Sequence, residues 1–167
     1  MKKLCIIGGL LFISNFIYCQ STKQAKIDSL KKEQQWNYVR KILNIAKAER
    51  AKFGIPISIT LAQGLIESDC GKNILTVRLN NHFKIKTFNN KVPHERFTDD
   101  LQSVMFKKYD SAWECFRDHS LLMLGNDSNL RFLSKTDYVG WSKSLQNNYY
   151  KDKNYSKKII KIIEDLQ

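Results

Sequence analysis

Residues Gly54 to Ser68 read GIPISITLAQGLIES, and the fold follows from this stretch. Gly54 is placed as the stop of a preceding helix, since glycine accepts the left-handed conformation that ends many helices. Pro56 then opens a second helix, because its fixed φ and missing N–H cost nothing in a first turn. That helix is expected to run to about Ser68. Leu61, Leu65 and Ile66 supply packing, while Thr60, Gln63 and Glu67 recur at steps of three and four and share one side. A polar stripe thus runs along an otherwise apolar helix. Gly64, costly inside a helix, is consistent with a ligand or a neighbouring part of the chain coming close.

Upstream, Trp36, Val39, Leu43 and Ala46 recur at helical spacing and predict a helix that Gly54 terminates. Downstream, Phe83 and Ile85 alternate with Lys84 and Lys86, Asn89–Asn90 offers a turn, and Val92 and Phe97 resume apolar positions. Asn80 to Pro93 therefore reads as part of a small antiparallel hairpin. Ser111 followed by Glu114 is a capping box, which accounts for Glu114 without any catalytic role. Ala112, Cys115, Phe116, His119, Leu122 and Met123 mark one buried face of the helix it starts, with Gly125 just past its end. Two more helices follow, one from near Thr136 with Tyr138, Trp141 and Leu145, the last with Tyr155, Ile159, Ile160, Ile163 and Leu166. The expected class is α+β, mostly α: a helical domain with a small β-hairpin lobe.

Length and composition agree with one globular domain. The chain has 167 residues, 43% of them apolar and 26% charged, with two prolines and seven glycines, which excludes disordered, collagen-like and low-complexity classes. Lys2 and Lys3 precede an apolar run from Leu4 to Ile17, the pattern of a secretory signal peptide and shorter than the roughly 20 residues of a membrane span. Residues 1–19 are read as that signal, 20–33 as a polar leader without apolar period, and 34–167 as the folded domain. Cys19 raises a lipid anchor as the less favoured alternative, because Tyr18 stands where a small residue is usual. The net charge of +12 favours polyanionic partners, and export makes nucleic acid the least fitting of them. Beyond the leader only Cys70 and Cys115 remain, and a single disulfide between them is one possibility. His82, His94 and His119 are scattered and no CxxC occurs, so neither a metal nor an organic cofactor is indicated.

Glu67 is the candidate for chemistry on this helix. A carboxyl group among apolar side chains at the negative end of a helix is one that its surroundings favour in the neutral form, suited to general acid catalysis. The competing reading is that the stripe is simply a solvated face.

Gly54–Ile55–Pro56, Leu61–Ala62–Gln63, Glu67–Ser68, Gly71–Lys72 and Asn80–Asn81–His82–Phe83 with Ile85–Lys86 occur in an order that resembles the glucosaminidase family of peptidoglycan hydrolases, glycoside hydrolase family 73. Phe106 to Ser111, Phe116 to His119 and Asn148 to Tyr155 resemble its later motifs. The resemblance spans roughly Trp36 to Gln167. It implies a lysozyme-like fold that cuts the β-1,4 bond following N-acetylglucosamine in peptidoglycan glycan strands, with Glu67 as the acid. It also implies a second carboxylate in the β lobe. The candidates are Glu95, Asp99 and Asp100, and spacing back from Phe106–Tyr109 favours the Asp99–Asp100 pair; alternatively the substrate's own N-acetyl group attacks. Tyr149 matches a cleft tyrosine, and Gln63, Asn81 and Phe83 fit substrate contacts. The chain departs from the pattern in having Lys84 where the family usually has glycine, Cys70 beside the catalytic helix, and Tyr149–Tyr150–Lys151–Asp152 for a Tyr-Ala-Thr-Asp run. A lytic transglycosylase and a wall-binding module with a weakened site are the competing functions.

Overall fold

The computed structural model describes residues 4–98, 103–126, 130, 132–148, 150 and 152–167, with side chains from Gln24 onward except that of Asn126. Six helices and one two-stranded sheet are found among them: α1 (Leu4–Phe53), α2 (Ile57–Ser68), α3 (Ile74–Leu79), β1 (His94–Thr98), β2 (Ser103–Lys107), α4 (Ala112–Asn126), α5 (Tyr138–Asn148) and α6 (Tyr155–Asp165). The chain divides into two units, Met1–Asn37 and Tyr38–Gln167. Among the described residues no helix is long and apolar enough to cross a membrane.

In the first unit, the polar stretch 20–33, whose sequence reads as a flexible leader or a frayed helix start, is helical. It holds no glycine or proline, and its Lys, Gln, Ala and Leu residues are good helix formers. Gln24 also donates to Asp28 one turn on, at 2.9 Å. Trp36, expected on the buried face, is exposed, as are Ile27 and Leu30.

In the second unit, α2 serves two cores. Leu61 and Leu65 pack with Tyr38, Val39, Ile42, Ile45 and Ala46 of α1 and with Phe116 of α4. Ile59 and Ala62 pack with Trp141 and Leu145 of α5 and with Ile159 and Ile163 of α6. The predicted start of α2 holds: Gly54 sits at φ +79°, and Pro56 immediately precedes the first turn. At the other end Asp69 takes the left-handed cap and its N–H reaches back to the Ile66 carbonyl.

Gly64 is explained by a neighbouring helix. A Cβ there would stand 3.1 Å from both the Ile42 side chain and the Tyr38 hydroxyl, and one on Gly71, at φ +83°, would stand 3.0 Å from the Tyr38 ring. Tyr38 is therefore wedged between α2 and the loop after it, and its hydroxyl meets Nδ1 of His82 at 2.7 Å. A second tie joins α1 to α4: Glu49, fully buried, takes a bidentate contact from Arg117, with Nη2 to Oε1 at 2.7 Å. Such planar fork contacts hold an otherwise costly buried carboxylate in place.

The hairpin lies later in the chain than the sequence suggests. His94–Thr98 pairs antiparallel with Ser103–Lys107, in the register Arg96 opposite Met105. The 80–93 stretch contributes only a single bridge, Lys86 to Phe106, on the other edge of β2. It cannot run extended, because Asn80 and Lys84 both take left-handed conformations and curl the chain. The short helix α3, which the sequence reading omits, is capped by the Asn73 side chain accepting from the Leu75 N–H at 2.9 Å.

The capping box at α4 forms with a shift of one residue. Ser111 accepts from the Glu114 N–H, and the Glu114 carboxylate accepts from the Asp110 N–H instead of from Ser111. Cys115, Phe116, His119 and Met123 are buried as expected, whereas Leu122 is exposed and Leu124 takes a core place; Gly125, expected just past the helix, lies inside α4, which runs to Asn126. Cys70 and Cys115 are both free thiols. Burial pushes the Cys115 thiol up to about 12, and its sulfur receives the His82 backbone N–H at 3.2 Å.

Gly71→Ala is expected to destabilise the protein by about 1–3 kcal/mol, because the methyl both clashes with Tyr38 and is strained at positive φ. Gly125→Ala, where a Cβ meets nothing within 4 Å, is expected to be neutral or stabilising by up to about 1 kcal/mol. Urea denaturation midpoints of the two variants check this contrast.

Candidate active site

Thr60, Gln63 and Glu67 are all buried, so the polar stripe of α2 is not a solvated face. Gln63 has no exposed surface, and neither of its amide atoms has a hydrogen-bond partner among the described residues. It lines a cavity of about 300 Å³ together with Phe83, Lys86, His119, Met123 and Tyr150. Glu67 lies one turn further along the same side of α2. Its charge is felt by Tyr150 and Tyr155, whose stacked rings lie 3.5 Å apart; burial first, and then for Tyr150 the Glu67 carboxylate, hold these phenols well above the usual tyrosine range. Both stay protonated and neutral beside the acid. A larger concavity of about 650 Å³, lined by Lys52, Gly54, Lys135 and Trp141 among others, presents no carboxylate among the described residues.

The surroundings of Glu67 are not purely apolar. Lys84 Nζ stands 3.2 Å from Oε2 of Glu67, with the lysine side chain 45% exposed and the glutamate 10%. Lys84 sits at φ +56°, a conformation that costs a side-chain-bearing residue about 1–2 kcal/mol and that glycine takes freely. Its neighbours impose it. The Asn81 amide nitrogen donates to the carbonyls of Ile85 and Lys107, each at 2.9 Å, and its oxygen accepts from the Ile85 N–H. Phe83 stacks on His119 with centroids 3.7 Å apart and meets Phe116 edge-on.

Asn81 is thus engaged entirely with backbone, and it shapes the turn that carries Lys84. Gln63 and Phe83 both line the cavity. Glu95, an alternative β-lobe acid, pairs with Arg78 at 2.7 Å. Asp99 and Asp100, which fall between β1 and β2 in the sequence, and Tyr149 lie outside the described residues. Sequence reasoning passed over Tyr150, the neighbour of Tyr149, and His119 as part of the cavity wall. Two adjacent tyrosines leave the assignment open by one position, and the aromatic run itself was the available signal.

Residues 43–167 match the family described as mannosyl-glycoprotein endo-beta-N-acetylglucosaminidase. The chain belongs to that family. It is 27% identical to the exo-glucosaminidase LytG of Bacillus subtilis (strain 168), over 98% of this chain and 66% of the relative. An N-acetylmuramoyl-L-alanine amidase domain-containing protein of Staphylococcus aureus (strain NCTC 8325 / PS 47) is 34% identical over 66% of this chain, which is 20% of that protein. The chain thus spans less than two thirds of either relative. Among solved structures, the glycoside hydrolase domain of Salmonella typhimurium FlgJ superposes with a TM-score of 0.65 at 25% identity, covering 79% of this chain and 87% of that one. The catalytic domain of the Listeria monocytogenes autolysin Auto shares the fold, with a TM-score of 0.66 at 22% identity, 86% of this chain and 93% of that one. The α+β architecture, helical with a small antiparallel lobe, is that of the lysozyme-like glucosaminidase domains.

His82 and His119 are buried and neutral, burial lowering them to about 4 and about 3. The unfolded chain, with histidines near the ordinary 6.5, takes up protons first as pH falls. Stability is therefore full above about pH 6.5 and is expected to decline as pH drops from there toward 4. The slope reaches at most about 1.4 kcal/mol per pH unit for each histidine. Urea unfolding at pH 7.5, 6.0 and 5.0 checks it, a flat series being the contrary result.

Proposed function

We propose that the protein is an exported peptidoglycan hydrolase that cleaves the β-1,4 bond following N-acetylglucosamine, with Glu67 as the general acid. The observation that carries this reading is the enclosed Glu67 carboxyl on a helix shared by two cores, beside a cavity lined by Gln63, Phe83 and Tyr150. Glu67 gives its proton to the glycosidic oxygen, so the leaving sugar departs as a neutral alcohol. The electron deficiency left at the anomeric carbon is met by water or by the substrate's own acetamido oxygen. Asp99 or Asp100 is the proposed β-lobe carboxylate that activates that water or steadies the oxocarbenium charge. Tyr149 is the proposed cleft tyrosine and Tyr150 stands beside the acid. Gln63, Asn81 and Phe83 are the proposed substrate-binding residues, Asn81 by holding in place the turn that carries Phe83 and Lys84.

Names of relatives support the substrate class: an exo-glucosaminidase and a peptidoglycan hydrolase from Sphingomonas sp. A1, 27% identical with a TM-score of 0.61 over 76% of this chain and 86% of that one. Export is proposed from Lys2, Lys3 and the apolar run to Ile17, with residues 1–19 as signal and 34–167 as the catalytic domain. The positive balance of the chain suits the acidic polymers of a cell wall.

Digestion of purified peptidoglycan, with products reduced and identified by mass spectrometry, tests the reading. Fragments ending in reducing N-acetylglucosamine are expected from the wild type, and about 100-fold fewer or less from Glu67→Gln, the scale of losing a general acid. Anhydro-muramyl ends would instead make the protein a lytic transglycosylase. Binding of glycan without turnover by the wild type would make it a wall-binding module.

A further inference from the structure

The pairing of Lys84 with Glu67 goes beyond what the acid requires. The ammonium group sits on an oxygen of the carboxyl that must reach the glycosidic oxygen, 3.2 Å from Oε2. The left-handed backbone at Lys84, enforced by the Asn81 contacts and the Phe83 stack, aims the side chain there. The two partners are unequal in exposure: the carboxyl is enclosed, while nearly half of the lysine side chain is open to solvent. A flexible four-carbon stem lets the ammonium swing out while the turn stays intact.

Its departure leaves the enclosed carboxylate without a counter-charge, and an anion that receives the ammonium offsets the cost of parting the pair. Glu67 is the ion-pair partner that the described residues show for Lys84. Peptidoglycan strands bring carboxylates on their lactyl ethers and peptide stems, whereas a polymer of N-acetylglucosamine alone brings none. Lys86, exposed and two residues further along the same segment, lines the cavity beside Gln63 and Tyr150 and offers a second cation to the same approach.

Resting on the glucosaminidase reading above, we propose that Lys84 is a specificity-determining latch on Glu67. Its ammonium holds the ionised carboxyl until a substrate carboxylate draws it away; the enclosed Glu67 then takes a proton from solvent and gives it to the glycosidic oxygen, so that acidic peptidoglycan strands are cut in preference to neutral N-acetylglucosamine oligomers. Lys84 is a positioning residue for the acid and takes no part in bond cleavage.

The test measures kcat and KM of the full chain on soluble peptidoglycan strands and on neutral chitooligosaccharides, for the wild type, Lys84→Gly, Lys84→Met and Lys84→Arg. Circular dichroism confirms folding, and Lys84→Gly suits the backbone at that position. The wild type is expected to prefer the acidic strands. Lys84→Gly and Lys84→Met are expected to lower that preference by about five-fold, the scale of a partly exposed ion pair. The change should appear mainly as a gain in kcat on the neutral oligomer, and Lys84→Arg should keep the preference. Turnover confined to Lys84→Gly and Lys84→Met would mean that peptidoglycan does not draw the lysine away, and overturns the latch as a specificity device while leaving the function standing. An unchanged preference in both variants, with the wild type active on peptidoglycan, overturns the latch and leaves the function standing. Absence of turnover from all four folded proteins overturns the function and the latch together.

Discussion

Two cores share one helix, and the rest of the unit from Tyr38 onward is arranged around that fact. α2 gives Leu61 and Leu65 to the side facing α1 and α4, and Ile59 and Ala62 to the side facing α5 and α6. A helix apolar on two sides can afford few polar residues, since each is taken out of water and must find a partner or a purpose. Thr60 and Ser68 settle on backbone carbonyls of their own helix. Gln63 and Glu67 do not, and they face the cavity and Lys84. The close approach that makes this packing possible depends on two glycines flanking a single tyrosine ring, so the enclosure of the acid and the fit of Tyr38 are one arrangement.

The β lobe works as a bracket for the opposite wall. β2 is the middle element, holding β1 on one edge and the 85–87 segment on the other through the Lys86 bridge and the Thr87 and Lys107 backbone contacts. Asn81 fastens the turn before that segment to the same strand. Buried amides that bond only to backbone fix geometry at little cost, because every donor and acceptor they carry is matched. What the sheet positions is therefore the direction of Phe83 and Lys84 toward α2.

Helices and their limits were readable where a residue has a single conformational use. Gly54 and Pro56 bounded α2, and Ser111 with Glu114 announced α4, because capping and left-handed geometry are local. Glu67 was readable because period 3.6 places it with Thr60 and Gln63 whatever the rest of the chain does. The hairpin was misplaced because alternation at Phe83 to Lys86 also fits a curled turn, and only the long-range bond of Asn81 to Lys107 distinguishes the two. The Lys84 partner was illegible for a similar reason: seventeen residues separate it from Glu67, and no local rule connects them. α3 is six residues long, too short for periodicity to show. The bidentate hold of Arg117 on Glu49 likewise has no sequence signature, being a contact between helices.

The two thiols bear on what holds this unit together. Cys115 is enclosed beneath the His82 turn and shifted far from its reactive form, and Cys70 stands unpaired at the end of α2. Cohesion between Tyr38 and Gln167 thus comes from side-chain interlocking and from Glu49 with Arg117, with no covalent cross-link between these cysteines. A reducing medium therefore has no bond between Cys70 and Cys115 to break in this arrangement.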